Sequence, residues 1–137
     1  DAGNGNILAF FELPNQKDMG RDENTPIWVQ HLAFKVADED ALIAAKSHIE
    51  GLGIDVLGPT HHGIFKSIYF FDPNGHRVEL AADIGTDGQY AELKRVAMPM
   101  LDEWSETKKA PQHAAWLHEL AREEHAKAKA AEEPDLP

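Results

Sequence analysis

Two short apolar segments joined by a tight-turn sequence constrain the fold more than any other feature. Residues 66–71 and 77–82 carry clusters of apolar side chains, and Asp72-Pro73-Asn74-Gly75 lies between them. Proline fixes φ near a value that turns use, glycine accepts positive φ, and Asp and Asn side chains bond to nearby backbone in turns. The pattern therefore predicts two antiparallel strands joined by a tight turn.

The alignment of these two strands decides which side chains share a face. Pairing Phe71 with Arg77 sets Tyr69 directly opposite Glu79. A slip of one residue would turn Tyr69 away from this carboxylate, because successive side chains of a strand point to opposite faces. The first alignment needs a five-residue loop, which Gly75 accommodates by taking positive φ. We predict this first alignment.

A strand, a helix and a further strand precede the hairpin. Residues 28–36 alternate, so that His31 and Ala33 lie on the face opposite the bulky apolar residues. The stretch 38–52 begins with acidic residues, continues with apolar residues at helical spacing and meets glycines at its end, which indicates an amphipathic helix. Residues 54–57 are predicted as a short strand that ends at the following Gly-Pro pair.

The order of these elements indicates an α+β fold in which residues 27–84 form a βαβββ module. From about residue 87 the composition changes to Ala, Glu, Lys and Leu, which favours helices. C-terminal helices are therefore predicted over residues 85–131, near 87–107 and 110–131, with Pro99 and Pro111 punctuating them. Residues 132–137 are predicted to be a frayed tail.

The start of the chain is similar to the second half of the predicted hairpin. The stretch Gly5–Phe10 overlies Gly75–Leu80, since each is a turn glycine followed by a short apolar run. We interpret residues 1–13, with a strand at 6–12, as the last strand of a preceding copy of the module. The polar residues 14–26 would then be an exposed linker. The alternative is that a turn glycine followed by apolar residues is simply a common pattern.

The composition excludes several classes of protein. With 13 Lys and Arg against 24 Asp and Glu, the formal net charge is −11, so nucleic acid would be repelled. The absence of cysteine excludes disulfides and thiolate catalysis and suits a reducing compartment, while the eight histidines remain as metal ligands or acid–base groups. No apolar run approaches 18 residues and no export signal opens the chain. We expect a cytoplasmic protein.

The strand Gln30–Val36, the helix and the stretch Ser67–Leu80 together resemble one βαβββ module of the vicinal oxygen chelate superfamily. This superfamily includes glyoxalase I, bleomycin-resistance proteins and type I extradiol dioxygenases. The most specific part of the resemblance is the Asp-Pro-Asn-Gly turn with a Glu four residues after the Gly. The resemblance implies half of an open, cup-shaped mixed sheet. It also implies pairing with a second module, in a longer chain or in a homo-oligomer such as a dimer.

The resemblance implies that His31 and Glu79 are metal ligands, because they match the first-strand His and the last-strand Glu of the module. An alternative is an ordinary solvent-facing histidine and a glutamate on a half-exposed sheet. The expected cofactor is a divalent metal, with Fe(II) favoured and Mn, Zn, Ni or Co left open. The superposition sets Ala9 at the position of Glu79, so the preceding copy would supply no carboxylate. This favours the two-His, one-Glu set of extradiol dioxygenases, although Glu12 could contribute in a different register. The second His would lie on a strand that this chain lacks.

Tyr69 stands ten residues before Glu79, where extradiol dioxygenases carry a Tyr that hydrogen-bonds substrate or peroxo oxygens. A His shortly before that Tyr acts as acid–base in the family, and either His61 or His62 matches this position. The alternatives are an ordinary sheet aromatic and a polar loop. The remaining five histidines are expected at the surface: His48, His76, His113, His118 and His125.

Three functions follow as hypotheses. The first is an extradiol-type dioxygenase, or a fragment of one, that cleaves the ring of an aromatic diol. The second is a glyoxalase-like metal-dependent lyase or isomerase, which would draw a carboxylate from both modules. The third is a metal-free small-molecule-binding module of the bleomycin-resistance kind, against which the presence of both His31 and Glu79 argues.

Overall fold

The computed structural model describes residues 2–3, 5–17, 20 and 22–132 of the chain. Its regular elements begin only after residue 30 and comprise four strands and three helices. In chain order they are β1 (His31–Lys35), α1 (Glu39–Gly51), β2 (Leu57–His61), β3 (Phe65–Phe71), β4 (Arg77–Asp83), α2 (Asp87–Thr107) and α3 (Ala115–Glu132). None of the described helices is both long and apolar enough to cross a membrane.

The four strands form one mixed sheet in the order β1-β4-β3-β2. β1 pairs with β4 in parallel, whereas β4 with β3 and β3 with β2 pair antiparallel. A parallel pair needs a long crossover, and the chain from β1 to β4 supplies it through α1 and the two intervening strands. The predicted α+β class and the βαβββ order are confirmed.

The predicted alignment of the hairpin is also confirmed. Phe71 pairs with Arg77 and Tyr69 pairs with Glu79 across β3 and β4. Gly75 takes a φ of 84°, the left-handed conformation on which this loop length depends. One carboxylate oxygen of Asp72 accepts hydrogen bonds from the backbone N–H groups of residues 74 and 76, at 2.9 and 2.7 Å. The turn therefore satisfies its own backbone donors and fixes the register.

Helix α1 covers one face of the sheet and forms the core with it. Asp38 caps the helix, because its side chain accepts a hydrogen bond of 2.8 Å from the backbone N–H of Ala41. The buried residues of this core are Leu42, Ile49, Ile68 and Ala82. The side chains at alternate positions of β3 and β4, among them Tyr69 and Glu79, therefore point to the opposite face.

Strand β2 lies further along the chain than predicted. A strand over 54–57 was expected to end at Gly58-Pro59, but β2 runs through this pair to His61. Gly58 has a φ of 106°, and a Cβ at this position would lie 2.6 Å from the carbonyl oxygen of Ser67. The pairing with β3 shifts between Leu57 and Thr60, so the Gly-Pro pair forms an irregularity within an edge strand, where proline is tolerated.

The residues before β1 contain no regular element among those described. The predicted strand at 6–12 is not formed, and its apolar side chains are exposed, including Ile7 at 84% and Phe11 at 86%. A strand exists only when a neighbour pairs with its backbone, and nothing in the described structure does so here. The described residues of 14–26 form turns and irregular backbone. The assignment of residues 1–13 to a preceding module stays a prediction.

The C-terminal helices differ from the prediction at one boundary. α2 spans 87–107 as predicted, and Pro99 lies inside it rather than at its end. α3 begins at Ala115 and not near 110, because α2 ends in a left-handed residue and both oxygens of the Glu103 carboxylate accept from the backbone N–H of Gln112, at 3.0 Å each. This carboxylate holds the connection in a non-helical path. The predicted tail at 132–137 lies outside the described residues except for Glu132, the last residue of α3.

The packing of α1 on the sheet predicts that truncating Ile68 costs much more folding stability than truncating Ile43. Ile68 has no exposed surface, so Ile68→Ala should lower the free energy of unfolding by about 2–5 kcal/mol through lost burial and a cavity. Ile43 on α1 is 42% exposed, and Ile43→Ala should cost less than about 1 kcal/mol. Urea denaturation followed by far-UV circular dichroism measures both, and equal losses would contradict this packing.

Candidate active site

The face of the sheet opposite α1 brings His31 and Glu79 into contact. The parallel pairing sets His31 beside Arg77 and Ala33 beside Glu79, so the His31 and Glu79 side chains lie on one face, one diagonal step apart. His31 Nε2 is 2.8 Å from Glu79 Oε2. The side chain of His31 remains 30% exposed, whereas that of Glu79 is only 7% exposed. The imidazole is thus the more accessible of the two groups.

Glu79 is fixed by a second contact that the sequence analysis missed. The Ser67 hydroxyl donates a hydrogen bond to Glu79 Oε1, and Ser67 is completely buried. One carboxylate oxygen is therefore held by a hydroxyl and the other by an imidazole, which compensates for the burial of the charge. The signal was available, since Ser67 stands two residues before Tyr69 and must share its face once the hairpin register is set.

His31 Nε2 and Glu79 Oε2 are the two atoms of this face that could bind a metal ion, since imidazole nitrogen and carboxylate oxygen are common metal ligands. Their separation of 2.8 Å is that of a hydrogen bond, which an ion bound between them would replace. Within the described part of the chain, no group of three or more His, Cys, Asp or Glu residues is placed to hold a metal. A metal ion bound by this pair would therefore need further ligands from outside the described residues.

Tyr69 and His62 form a second pair on the same face. Tyr69 Oη and His62 Nε2 are 2.8 Å apart, and the His62 ring stacks on Phe65 with centroids 4.8 Å apart. The ring of Tyr69 also meets that of His31 edge to face, at a centroid distance of 6.0 Å. This chain of contacts links the His31–Glu79 pair to His62 through Tyr69.

The structure brings His62 to Tyr69 and places His61 elsewhere. His61 pairs with Lys66 across β2 and β3, and the Lys66 ammonium bonds to Glu39 of α1. His61 therefore belongs to the α1 side of the sheet, where its Nδ1 accepts a hydrogen bond of 3.0 Å from the backbone N–H of Gly63. The other histidines expected at the surface are exposed: His48, His76, His113, His118 and His125.

Burial sets the protonation states of the Tyr69–His62 pair. It raises the pKa of the Tyr69 hydroxyl, and the negative charge of Glu79 raises it further. Burial also lowers the pKa of the His62 imidazole, against the opposing effect of Glu79. At neutral pH the phenol is therefore protonated and the imidazole neutral. Such a pair can accept and donate a proton at adjacent atoms.

Arg77 is a further residue of this face that the sequence analysis did not select. Its guanidinium carbon lies 4.3 Å from the centroid of the Tyr69 ring, within the range of a cation–π contact. Its positive charge opposes the rise in the pKa of Tyr69. The position follows from the register, because Arg77 stands two residues before Glu79 on β4.

The described face now combines a carboxylate and an imidazole in contact with a phenol–imidazole pair. A sequence model of the Glyoxalase/Bleomycin resistance protein/Dioxygenase superfamily matches residues 1–80. The chain belongs to this superfamily, as the resemblance in its sequence predicted. The match ends within β4, so α2 and α3 lie outside it.

Curated relatives include both ring-cleaving enzymes and a transferase. The chain is 35% identical over 90 residues to chlorohydroquinone/hydroquinone 1,2-dioxygenase of Sphingobium indicum, covering 61% of this chain and 27% of that one. It is 33% identical over 78 residues to biphenyl-2,3-diol 1,2-dioxygenase 3 of Rhodococcus globerulus, covering 56% and 40%. It is 40% identical over 79 residues to the metallothiol transferase FosB of Bacillus licheniformis, covering 56% and 48%. The matches thus span between about a quarter and a half of the length of these relatives.

The lowered pKa of His62 predicts how folding stability changes with pH. Unfolded His62 takes up a proton near pH 6.5, whereas folded His62 does so only at lower pH. The unfolded state therefore binds more protons in the window below about pH 6.5, and this contribution makes stability fall as the pH drops through it. His62→Gln should reduce the fall between pH 7.5 and 5.

Denaturant midpoints at several pH values measure this effect. His48→Gln, at an exposed position of α1, is the matched control and should follow the wild-type curve. An unchanged slope in His62→Gln would show that His62 is not buried as described.

Proposed function

We propose that this chain provides one module of a metal-dependent extradiol-type dioxygenase that cleaves the ring of an aromatic diol. The observation that carries the proposal is the common face of two contacts, His31 with Glu79 and Tyr69 with His62. One contact offers ligands for a metal, and the other offers a proton donor and acceptor beside it. The similarity to two ring-cleaving dioxygenases supports the same reaction class.

His31 and Glu79 would hold the metal together with a third ligand from outside the described residues. A two-His, one-carboxylate set suits Fe(II) and leaves coordination positions open. The missing His would come from the first strand of a preceding module, whose last strand would be residues 1–13, with 14–26 as the linker. One observation supports this arrangement: the apolar side chains of residues 6–12 are exposed and are not covered by the described part of the chain.

Tyr69 and His62 would transfer protons to and from the substrate. Bound Fe(II) would supply a centre where the vicinal oxygens of the diol and O₂ meet. Tyr69 would donate its Oη proton to the neutral His62 at Nε2, 2.8 Å away, as Oη takes up the proton of a substrate hydroxyl, so the pair would relay one proton from the substrate to the imidazole. The ring opens as one carbon–carbon bond breaks and both atoms of O₂ enter the product, so the reaction needs no external reductant.

The similarity to a metallothiol transferase favours one second candidate, a metal-dependent thiol transferase. Such an enzyme would use His31 and Glu79 in the same way. It would have no need of the Tyr69–His62 pair as a proton donor and acceptor for a diol. The two functions therefore differ in what they require of Tyr69.

Loss of either proposed ligand should sharply reduce bound metal. His31→Ala and Glu79→Ala each leave too few ligands to retain a divalent ion, whereas His48→Ala on exposed α1 should retain it. Ser67→Ala removes the hydroxyl that holds Glu79 and should weaken metal affinity by about 10–100-fold. Elemental analysis of protein purified without chelator or affinity metal measures this. An unchanged ratio of metal to protein in both His31→Ala and Glu79→Ala would show that these residues are not the metal ligands.

The Tyr69–His62 pair should be needed for turnover but not for metal. Tyr69→Phe and His62→Gln should each lower kcat for ring cleavage of a catechol by about 10²–10⁴-fold while metal content stays constant. His48→Gln, at an exposed position of α1, is the control and should keep wild-type turnover.

Oxygen consumption with catechol, using Fe(II)-loaded protein in its natural assembly, measures this prediction. Full turnover in Tyr69→Phe would exclude its catalytic role. Transfer of a thiol in place of oxygen uptake by the wild-type protein would favour the second candidate.

A further inference from the structure

The loop that carries His62 is held by the C-terminal helices, which lie outside the superfamily match of residues 1–80. Its first anchor is the carbonyl oxygen of Ile64. The Tyr90 hydroxyl of α2 donates a hydrogen bond to it at 2.6 Å, and the backbone N–H groups of Ile84 and Gly85 donate at 2.8 and 2.9 Å. Three donors therefore meet on one carbonyl group, and one of them comes from α2.

The second anchor is the contact between Gly63 and the first turn of α3. A Cβ at Gly63 would lie 2.7 Å from Leu117 Cδ1 and 3.0 Å from the Leu117 carbonyl oxygen. Real Cβ atoms do not approach other heavy atoms this closely, so α3 packs against the loop at a distance that only glycine permits. Gly63 also has a φ of 89°, which favours glycine independently.

These anchors lie next to His62 and fix the direction of its side chain. Its backbone N–H donates to the carbonyl oxygen of Phe65 at 2.9 Å, and its ring stacks on the Phe65 ring. The backbone on the C-terminal side of His62 is thus clamped at Gly63 and Ile64. A shift of this backbone would move the imidazole away from Tyr69, because a hydrogen bond of 2.8 Å weakens steeply with added distance.

We propose that Leu117 of α3 and Tyr90 of α2 are positioning residues that hold the imidazole of His62 against the hydroxyl of Tyr69. Tyr90 contacts Ile64 and Leu117 contacts Gly63, and no hydrogen bond or ring contact of the described residues joins either of them to the His31–Glu79 pair or the Tyr69–His62 pair. They act through the backbone of residues 63 and 64. Their effect on turnover rests on the proposed function, whereas their effect on the geometry of His62 does not.

A truncation series at Leu117 tests the geometry directly. Nuclear Overhauser effects between the ring protons of His62 and Tyr69 should be present in the wild-type protein, weaker in Leu117→Val and lost in Leu117→Ala. Leu117→Met, which refills the space, should restore them. If circular dichroism shows that Leu117→Ala loses the helix, the comparison of Leu117→Val with Leu117→Met decides the result.

Leu42→Ala provides a control for general destabilisation. Leu42 is completely buried in the core between α1 and the sheet, away from the C-terminal helices. This variant should lower stability and keep the contact between His62 and Tyr69. An unchanged contact in both Leu117→Val and Leu117→Ala would overturn the proposal, as would an equal loss in Leu42→Ala.

Steady-state kinetics separates this proposal from the proposed function. In the Fe(II)-loaded protein, Leu117→Ala should lower kcat for catechol cleavage by roughly 10–100-fold with KM and metal content unchanged, since a misplaced catalytic group costs about this much. If the wild-type protein cleaves no catechol but the Leu117 series alters the His62–Tyr69 contact, the proposed function fails and the positioning role stands. If turnover depends on His62 but not on Leu117, the positioning role fails alone.

Discussion

The pairing of β3 with β4 is the constraint on which the other features depend. This register sets Tyr69 opposite Glu79 and, through side-chain alternation, places Ser67 and Arg77 on the same face. It also directs Ile68 and Leu80 toward α1, so the core and the candidate site require the same alignment. A slip by one residue would bury the carboxylate under the helix and expose the core, and both consequences are unfavourable. Stability and chemistry therefore select one register together.

The buried carboxylate of Glu79 organises the electrostatics of the face. Its two oxygens are held by Ser67 and His31, and its charge acts on Tyr69 and His62. It raises the pKa of the phenol and opposes the fall in the pKa of the imidazole. A bound cation would offset the charge that produces both effects. The carboxylate thus couples the proposed metal ligands to the proposed proton donor and acceptor.

Much of this arrangement could be predicted from sequence, because periodicity and turn chemistry act locally. The helix α1, the hairpin register and the common face of His31, Tyr69 and Glu79 all follow from them. Three features could not be predicted in this way. The sequence Gly58-Pro59 predicted the end of a strand, but the pair lies within β2. Gly58 is needed there because Ser67 approaches it closely, and a contact between residues so far apart in sequence leaves no local signal. Which of His61 and His62 contacts Tyr69 depends on the path that the loop takes after β2. The unpaired state of residues 6–12 depends on which neighbour is present, which local sequence does not encode.

The central claim is that His31 and Glu79 together hold a divalent metal beside Tyr69 and His62. Anomalous X-ray diffraction from crystals of the Fe(II)-loaded protein tests it most directly. The account predicts one anomalous peak between His31 Nε2 and Glu79 Oε2, about 2.0–2.2 Å from each atom, with a further His ligand from outside the described residues. A peak that avoids both residues, with their hydrogen bond of 2.8 Å intact, would contradict the account.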